Sequence, residues 1–343
     1  LAVRQLLPSR SVFYPELNSI NAIPAKPFAY WASPYLLEKF RTEPSYIDSR
    51  IERDSKCGLG TLHDFRFLRL RWEISDSSKW TTYISGGSYS PYIEDLPIVV
   101  DWKNKGKEVK TFVESKVGSA SRKVQAETYY FKPGFTFPRR TRGFSPKLMP
   151  RGCIFSTAGQ AGFCSEEDLP WVIPLMSSIV IGYLISLSQG SSGKGGGSSP
   201  QFEVGLVKRV PWIEPDDGQK EKLTEGFFYI CNKKLQIQSL LETSEWFSWR
   251  HYGGTDFDLK SMTESLSGKV SRIKSEIRKK RDTINSLVAN IYGLPDDGWV
   301  ELSEELADEI SDSSFSDYFK DVSIDAIVVD ESYLAENLLS LAI

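Results

Sequence analysis

The sequence predicts an α+β fold: a β-rich domain, then an antiparallel helical pair, then an acidic C-terminal segment. Three observations set this. Between Phe65 and Phe163, short runs rich in aromatic and β-branched residues alternate with polar turns. From Asp216 to Leu294, apolar residues recur at spacings of three, four and seven, the period of an amphipathic helix. From Asp296 onward the chain carries 14 acidic residues and one lysine. The expected boundaries are 1–50 for an N-terminal connector, 51–215 for the β-rich domain, 216–294 for the helical pair and 295–343 for the acidic segment.

Residues 1–22 show no clear period and read as a connector. The start at Leu1 rather than Met is expected of a fragment or a processed chain. Ser33–Glu43 reads as a helix, with Ser33 at the N-cap and Pro34 at the first helical position. The rest of the chain is organised around Cys57–Ile74. Gly58 and Gly60 free the backbone for a tight turn or a close approach. Phe65, Phe67, Leu68 and Leu70 then interleave with Arg66, Arg69 and Arg71, which reads as a strand over Phe65–Ile74. Further strands are expected at Trp80–Tyr83, Ile98–Trp102, Thr128–Phe131 and Gly152–Phe155, with turns at Gly86–Gly87 and Lys132–Gly134.

Leu169–Leu187 is nearly free of charge, and a membrane span needs about 20 such residues. Pro170, Pro174, Gly182 and three serines favour a buried helix over a span. Gln189–Pro200 is a flexible low-complexity stretch. Lys194 is followed by glycine, so the phosphate-loop order is absent. A helix is expected from Asp216 to about Glu245. A second follows the capping-box spacing Ser261–Glu264, with Leu266, Val270, Ile273, Ile277, Ile284, Leu287 and Ile291 as its apolar stripe.

Net charge is −3 over 343 residues, so any argument about partners rests on local charge. Between Val100 and Arg151 there are 13 basic and four acidic residues, interleaved with aromatics. That pattern is either a nucleic-acid footprint or a solvated loop. Within it, Phe135–Phe144 reads as a loop holding Arg139, Arg140 and Arg142 between phenylalanines. Arginine forks suit phosphate and guanine edges. The basic residues of the second helix either touch DNA or are solvated, and the acidic tail either packs back on basic surface or docks a partner. Cys57, Cys153, Cys164 and Cys231 have no paired metal spacing and read as reduced thiols, which with the lack of a signal peptide implies the cytoplasm. With only His63 and His251, a histidine-based nuclease or zinc site is not expected.

Several landmarks occur in a fixed order. Gly58-Leu59-x-Thr61-x-x-Asp64-x-Arg66-Phe67-Leu68-Arg69 resembles the "G-L-x-T-G-D-N-x-R-F-L-R" segment of PglX-like adenine-specific DNA methyltransferases, found in BREX and DISARM phage defence and in type IIG-like restriction enzymes. Ile23–Trp31 is similar to that family's "I-P-G-S-P-I-A-Y-W". Gly86-Gly87 with Val99–Trp102 is similar to "K-G-G … V-V-N-W". Tyr130–Thr136 resembles "Y-F-K-x-G-I-T-W-S", whose aromatic is kept at Phe137 and whose serine is replaced by Pro138; Phe202–Pro211 resembles the closing "F-E-x-G-x-I-x-x-I-P" strand, Ser244–Phe247 "S-W-D-F", and Ile291–Leu294 "I-Y-G-L". Met176-Ser177-Ser178 stands at an "L-N-S" helix without its asparagine.

The resemblance implies that 51–215 is a target-recognition domain reading double-stranded DNA. Its DNA-binding residues would be Thr61, His63, Arg66, Arg69, Arg71, Gly86, Gly87, Lys132, Thr136, Arg139, Arg140 and Arg142. The family's "N-P-P-Y" loop and glycine-rich cofactor turn are not in this sequence; Ser33-Pro34-Tyr35 and Ser90-Pro91-Tyr92 are each one proline short. No catalytic, cofactor or metal residue is therefore expected here. S-adenosylmethionine would belong to a catalytic domain, fused upstream or separate, which would be a partner together with DNA and other defence-system subunits, without a membrane. Two alternatives stand beside this reading. One is a stand-alone specificity subunit, the other a protein-interaction module without DNA binding.

Overall fold

Short strands build the β-rich half, and glycine sets where they meet. The computed structural model describes residue 23 and residues 34–48, 50, 53–141, 143–189, 201–251 and 259–294. The acidic segment 295–343, the stretch 190–200, Ser33 and Arg142 lie outside the described residues. Helix α1 spans Pro34–Thr42 as the sequence predicts. One sheet is antiparallel and ordered β1-β8-β5-β6, from Asp54–Lys56 (β1), Gly134–Pro138 (β5), Lys147–Met149 (β6) and Gly159–Phe163 (β8). A Cβ on Gly162 would lie 2.1 Å from the Phe135 ring it faces across the β5–β8 register, so only glycine lets this pair close.

The second sheet is ordered β2-β4-β3-β7, from Leu68–Leu70 (β2), Trp80–Ile84 (β3), Ile98–Asp101 (β4) and Ile154–Phe155 (β7), with β3 and β7 parallel. Here β3, β4 and β7 fall on strands expected from sequence. The Ser156–Ala158 turn carries the chain from β7 in one sheet to β8 in the other. The Ser156 hydroxyl holds that turn by accepting from Ala158 N at 3.1 Å and Gly159 N at 2.7 Å.

Three expectations in this half are corrected. Phe65–Ile74 is not one strand: Asp64–Phe67 forms a short helix (α2), Leu68–Leu70 is β2, and Arg71–Glu73 is a 3₁₀ turn. Thr128–Phe131 holds a 3₁₀ turn at Glu127–Tyr129, and Phe135–Phe144 opens as β5 rather than a loop. Lys103–Val117 is a helix (α3) whose first residues, Asn104, Lys105 and Gly106, are left-handed. Val109 and Val113 bury its inner face against sheet two. It ends on Gly118 in the αL conformation, whose N–H reaches Glu114 O.

The apolar stretch forms two helices, α4 (Leu169–Met176) and α5 (Ile179–Gln189), bent by 74°. Asn285 on the last helix accepts from Ile179 N at 3.1 Å and caps α5 across the fold. Among the described residues no single helix is long and apolar enough to cross a membrane. Phe202–Pro211 holds a short helix, α6 (Val204–Lys208), in place of the expected closing strand.

Helix α7 (Asp217–Gln238) starts on a capping box between Asp216 and Gln219 and stops short of Glu245. Helix α8 (Leu259–Ile291) begins before Ser261, so that residue is inside the helix rather than its cap. The two run antiparallel: Gly226 on α7 lets Ile284 approach to 2.8 Å of where a Cβ would sit, and Lys233 pairs with Glu276 at 2.5 Å. Leu266, Val270, Ile273, Ile277, Ile284 and Ile291 are buried as the stripe predicts.

Lys234 pins α7 to the β-rich half. It is fully buried, and its Nζ donates to Ser90 Oγ and Pro91 O, both at 2.7 Å. Lys234→Met is expected to remove both of these bonds, leaving Pro91 O with the weaker bond from Ile93 N and Ser90 Oγ with its bond to Ile93 O, and to cost about 1–3 kcal/mol, read as a lower urea midpoint.

Candidate nucleic-acid interface

The glycine turn is packed from both sides. Leu59 is fully buried; its N–H reaches Phe155 O at 2.9 Å, and its carbonyl accepts from Tyr83 Oη at 2.9 Å and Thr157 N at 3.1 Å. Gly58 touches the β7 backbone: a Cβ there would lie 2.0 Å from Phe155 O. Gly60 N donates to Lys123 O at 2.8 Å, which brings the segment after α3 against the turn.

Thr61 is 2% exposed, and its hydroxyl donates to the Asp64 carboxylate, which starts α2. His63 precedes the helix and meets the Phe112 ring of α3 edge-on at 5.9 Å. Phe67 is buried 5.4 Å from the same ring. The Arg66 guanidinium lies over both rings, 5.1 Å from Phe67 and 5.2 Å from Phe112, and Lys116 Nζ sits 5.5 Å from Phe112. One aromatic ring thus gathers a histidine, an arginine and a lysine from two elements. Among the described residues, Arg66 and Lys116 have no carboxylate partner, so their donors are open to an anion. Phe112 is the organising residue here, and the sequence reading missed it. Its signal was the helical spacing Val109–Phe112–Val113–Lys116, hidden behind the left-handed entry to α3.

The remaining residues of the expected set divide. Arg69 Nη1 donates to Phe65 O at 2.7 Å and Leu68 O at 2.6 Å, capping the end of α2. Arg71 is paired with Glu245 at 2.6 Å and donates to Leu96 O at 3.0 Å. Arg139 is paired with Glu203 at 2.7 Å. Arg140 is exposed and bridges in backbone pairing to Gln201. Lys132 lies 5.1 Å above the Tyr129 ring. Thr136 is fully buried, its hydroxyl donating to Gln160 O, so its side chain is structural. Gly86 and Gly87 make a left-handed turn (φ 106° and 74°) at the wall of an open cleft of about 330 Å³ shared with Trp72, Glu94 and Asp95. Glu94 takes the ammonium of Lys147, which is 1% exposed, so Lys147 drops out of the available basic set. Burial pushes its pKa down.

Electrostatics tie Arg139 and Lys123 to the glycine turn. Burial raises the Cys57 thiol, and both cations lie close enough to pull it partly back. All four cysteines are free; burial pushes Cys153 and Cys231 up to about 12. No group of three His, Cys, Asp or Glu stands together among the described residues.

No family model matches the chain. It is 20% identical over 324 residues to the adenine-specific methyltransferase PglX of Lacticaseibacillus casei (strain Zhang), covering 87% of this chain and 25% of that protein. It is 27% identical over 211 residues to the adenine-specific methyltransferase BrxX of Escherichia coli O9:H4 (strain HS), covering 57% of this chain and 16% of that protein. The chain therefore spans a quarter or less of these relatives, and the similarity supports a methyltransferase-related family. The solved structure of the type IIL restriction-modification enzyme MmeI in complex with DNA matches at a TM-score of 0.46 and 16% identity, over 82% of this chain and 37% of that one.

Proposed function

We propose that the chain reads double-stranded DNA for an adenine-specific methyltransferase of a phage-defence or restriction-modification system. Catalysis would belong to a domain that is fused to it or separate. The observation that carries this is the set of donors around Phe112: Arg66 and Lys116, unpaired by carboxylates, beside a turn held against Lys123. Lysines supply phosphate affinity that carries no sequence information, and a stacked arginine supplies a planar fork for a base edge. The similarity to the adenine-specific methyltransferases PglX and BrxX supports DNA as the substrate class.

S-adenosylmethionine would be held by the catalytic domain. Among the described residues, the two glycine turns do not fit it: Gly58 is closed by Phe155 O, and a Cβ on Gly87 would lie 2.6 Å from the Glu94 carboxylate, so neither turn is an open cradle.

Fluorescence anisotropy with a labelled duplex tests the reading. Binding at 50 mM salt that weakens linearly in log salt is the expected result; no binding of any duplex at that salt overturns it. Arg139 serves as an internal gauge, because Glu203 already neutralises it. Glu203→Gln is expected to release the guanidinium, raise affinity a few-fold and steepen the salt slope by up to about 0.9. Arg139→Ala is expected to cost less than Arg66→Ala.

A further inference from the structure

Phe65 is the most exposed large apolar side chain among the described residues, at 92%. A lone exposed leucine or phenylalanine needs no explanation. This one differs in how firmly its backbone is held. Two residues later Phe67 is buried in the core. Three residues earlier Leu62 sits at φ 60°, a conformation unfavourable for a branched side chain, and is itself 44% exposed. The Arg69 guanidinium grips the Phe65 carbonyl from the far end of α2, and the Thr61–Asp64 hydrogen bond fixes the near end. A clamped backbone thus presents an aromatic ring to solvent, next to the open donors of Arg66.

Resting on the DNA-reading function above, we propose that Phe65 is a wedge that enters the stack of a duplex at one base step while Arg66 holds the neighbouring backbone. The argument is complementarity. An aromatic ring on a rigid, cationic projection fits the gap between two base pairs, where its faces stack and the adjacent cation meets phosphate. A pre-held ring loses little freedom on insertion. Unstacking a base step also lowers the barrier to extruding the base beside it, which an adenine methyltransferase requires. The wedge would therefore supply part of the base-opening work from the recognition side.

The test uses the whole 343-residue chain and two duplexes of one sequence, one intact and one carrying a single abasic position flanked by 2-aminopurine. Wild type is expected to bind the weakened duplex roughly tenfold or more tighter, because it no longer has to unstack the step, and to brighten the 2-aminopurine. Phe65→Ala is expected to lose the preference and the brightening while keeping the salt slope, and Phe65→Trp to keep both. Arg66→Ala is expected to lower the salt slope but keep the preference. Equal binding of both duplexes by wild type, or unchanged brightening in Phe65→Ala, overturns the wedge and leaves DNA reading intact. No binding of either duplex overturns DNA reading itself. An unchanged urea midpoint in Phe65→Ala, expected for so exposed a side chain, confirms that the fold is not what changed.

Discussion

Gly58→Ala is expected to destabilise the chain by at least about 3 kcal/mol, enough to remove much of the stability of an ordinary domain. The added methyl would sit 2.0 Å from the Phe155 carbonyl oxygen and 2.6 Å from both its carbonyl carbon and its ring. The oxygen belongs to β7, which is paired with β3 and cannot swing away. The same oxygen accepts the Leu59 N–H, so any shift that relieves the clash breaks that bond. Gly60→Ala is the control. Its nearest contacts, Lys123 Cδ and Thr157 Cγ2, are both at 3.4 Å and belong to side chains, and a loss below about 1 kcal/mol is expected. Urea unfolding of the two variants measures the difference; similar midpoints would contradict the packing of this turn.

The second large effect is on binding. In the triple variant Arg66→Ala, Lys116→Ala, Lys123→Ala, the slope of log affinity against log salt is expected to fall by two to three, at about 0.9 per phosphate contact. At 0.1 M salt that corresponds to roughly a hundred-fold or greater loss of affinity. Stability should fall by no more than about 1–2 kcal/mol, since none of the three has an ion-pair partner among the described residues and what is lost is the stacking of Arg66 and Lys116 on the Phe67 and Phe112 rings. Arg66→Lys separates charge from shape. It keeps the slope but loses the planar fork stacked on Phe67 and Phe112, so discrimination between duplex sequences should drop while non-specific binding persists.

Local periodicity was legible in the sequence wherever one element decides its own burial. The stripe on α8, the start of α7 near Asp216, the burial of Leu169–Leu187, and strands β3 and β4 all follow from residue spacing. Phe65–Ile74 misled because alternation over so few residues also fits a turn of helix running into a strand. The Thr61–Asp64 hydrogen bond and the burial of Phe67 decide between them, and they turn Phe65 outward. Helix α3 was hidden because Asn104 and Lys105 take a left-handed conformation that propensity disfavours. Its compensation is tertiary: the chain curls around Trp102, whose ring would lie 2.4 Å from a Cβ on Gly106.

The binding set was only partly legible for a related reason. Arg71 and Arg139 are as basic in the sequence as Arg66, but their partners, Glu245 and Glu203, lie 174 and 64 residues away. No local pattern distinguishes an arginine held by a distant carboxylate from one left open. Phe112 escaped notice because its role depends on His63 and Arg66 arriving from another element. The glycine turn, in contrast, was visible from two letters, because close backbone contact at Gly58 tolerates nothing larger.

Photocrosslinking tests the central claim most directly. A duplex bearing 5-iododeoxyuridine at successive positions is irradiated with the chain, and the joined peptides are identified by mass spectrometry. The account predicts crosslinks within residues 61–69 and 109–123, the segments that meet at Phe112. Crosslinks confined to helices α7 and α8, or none under conditions where the duplex is bound, would contradict it.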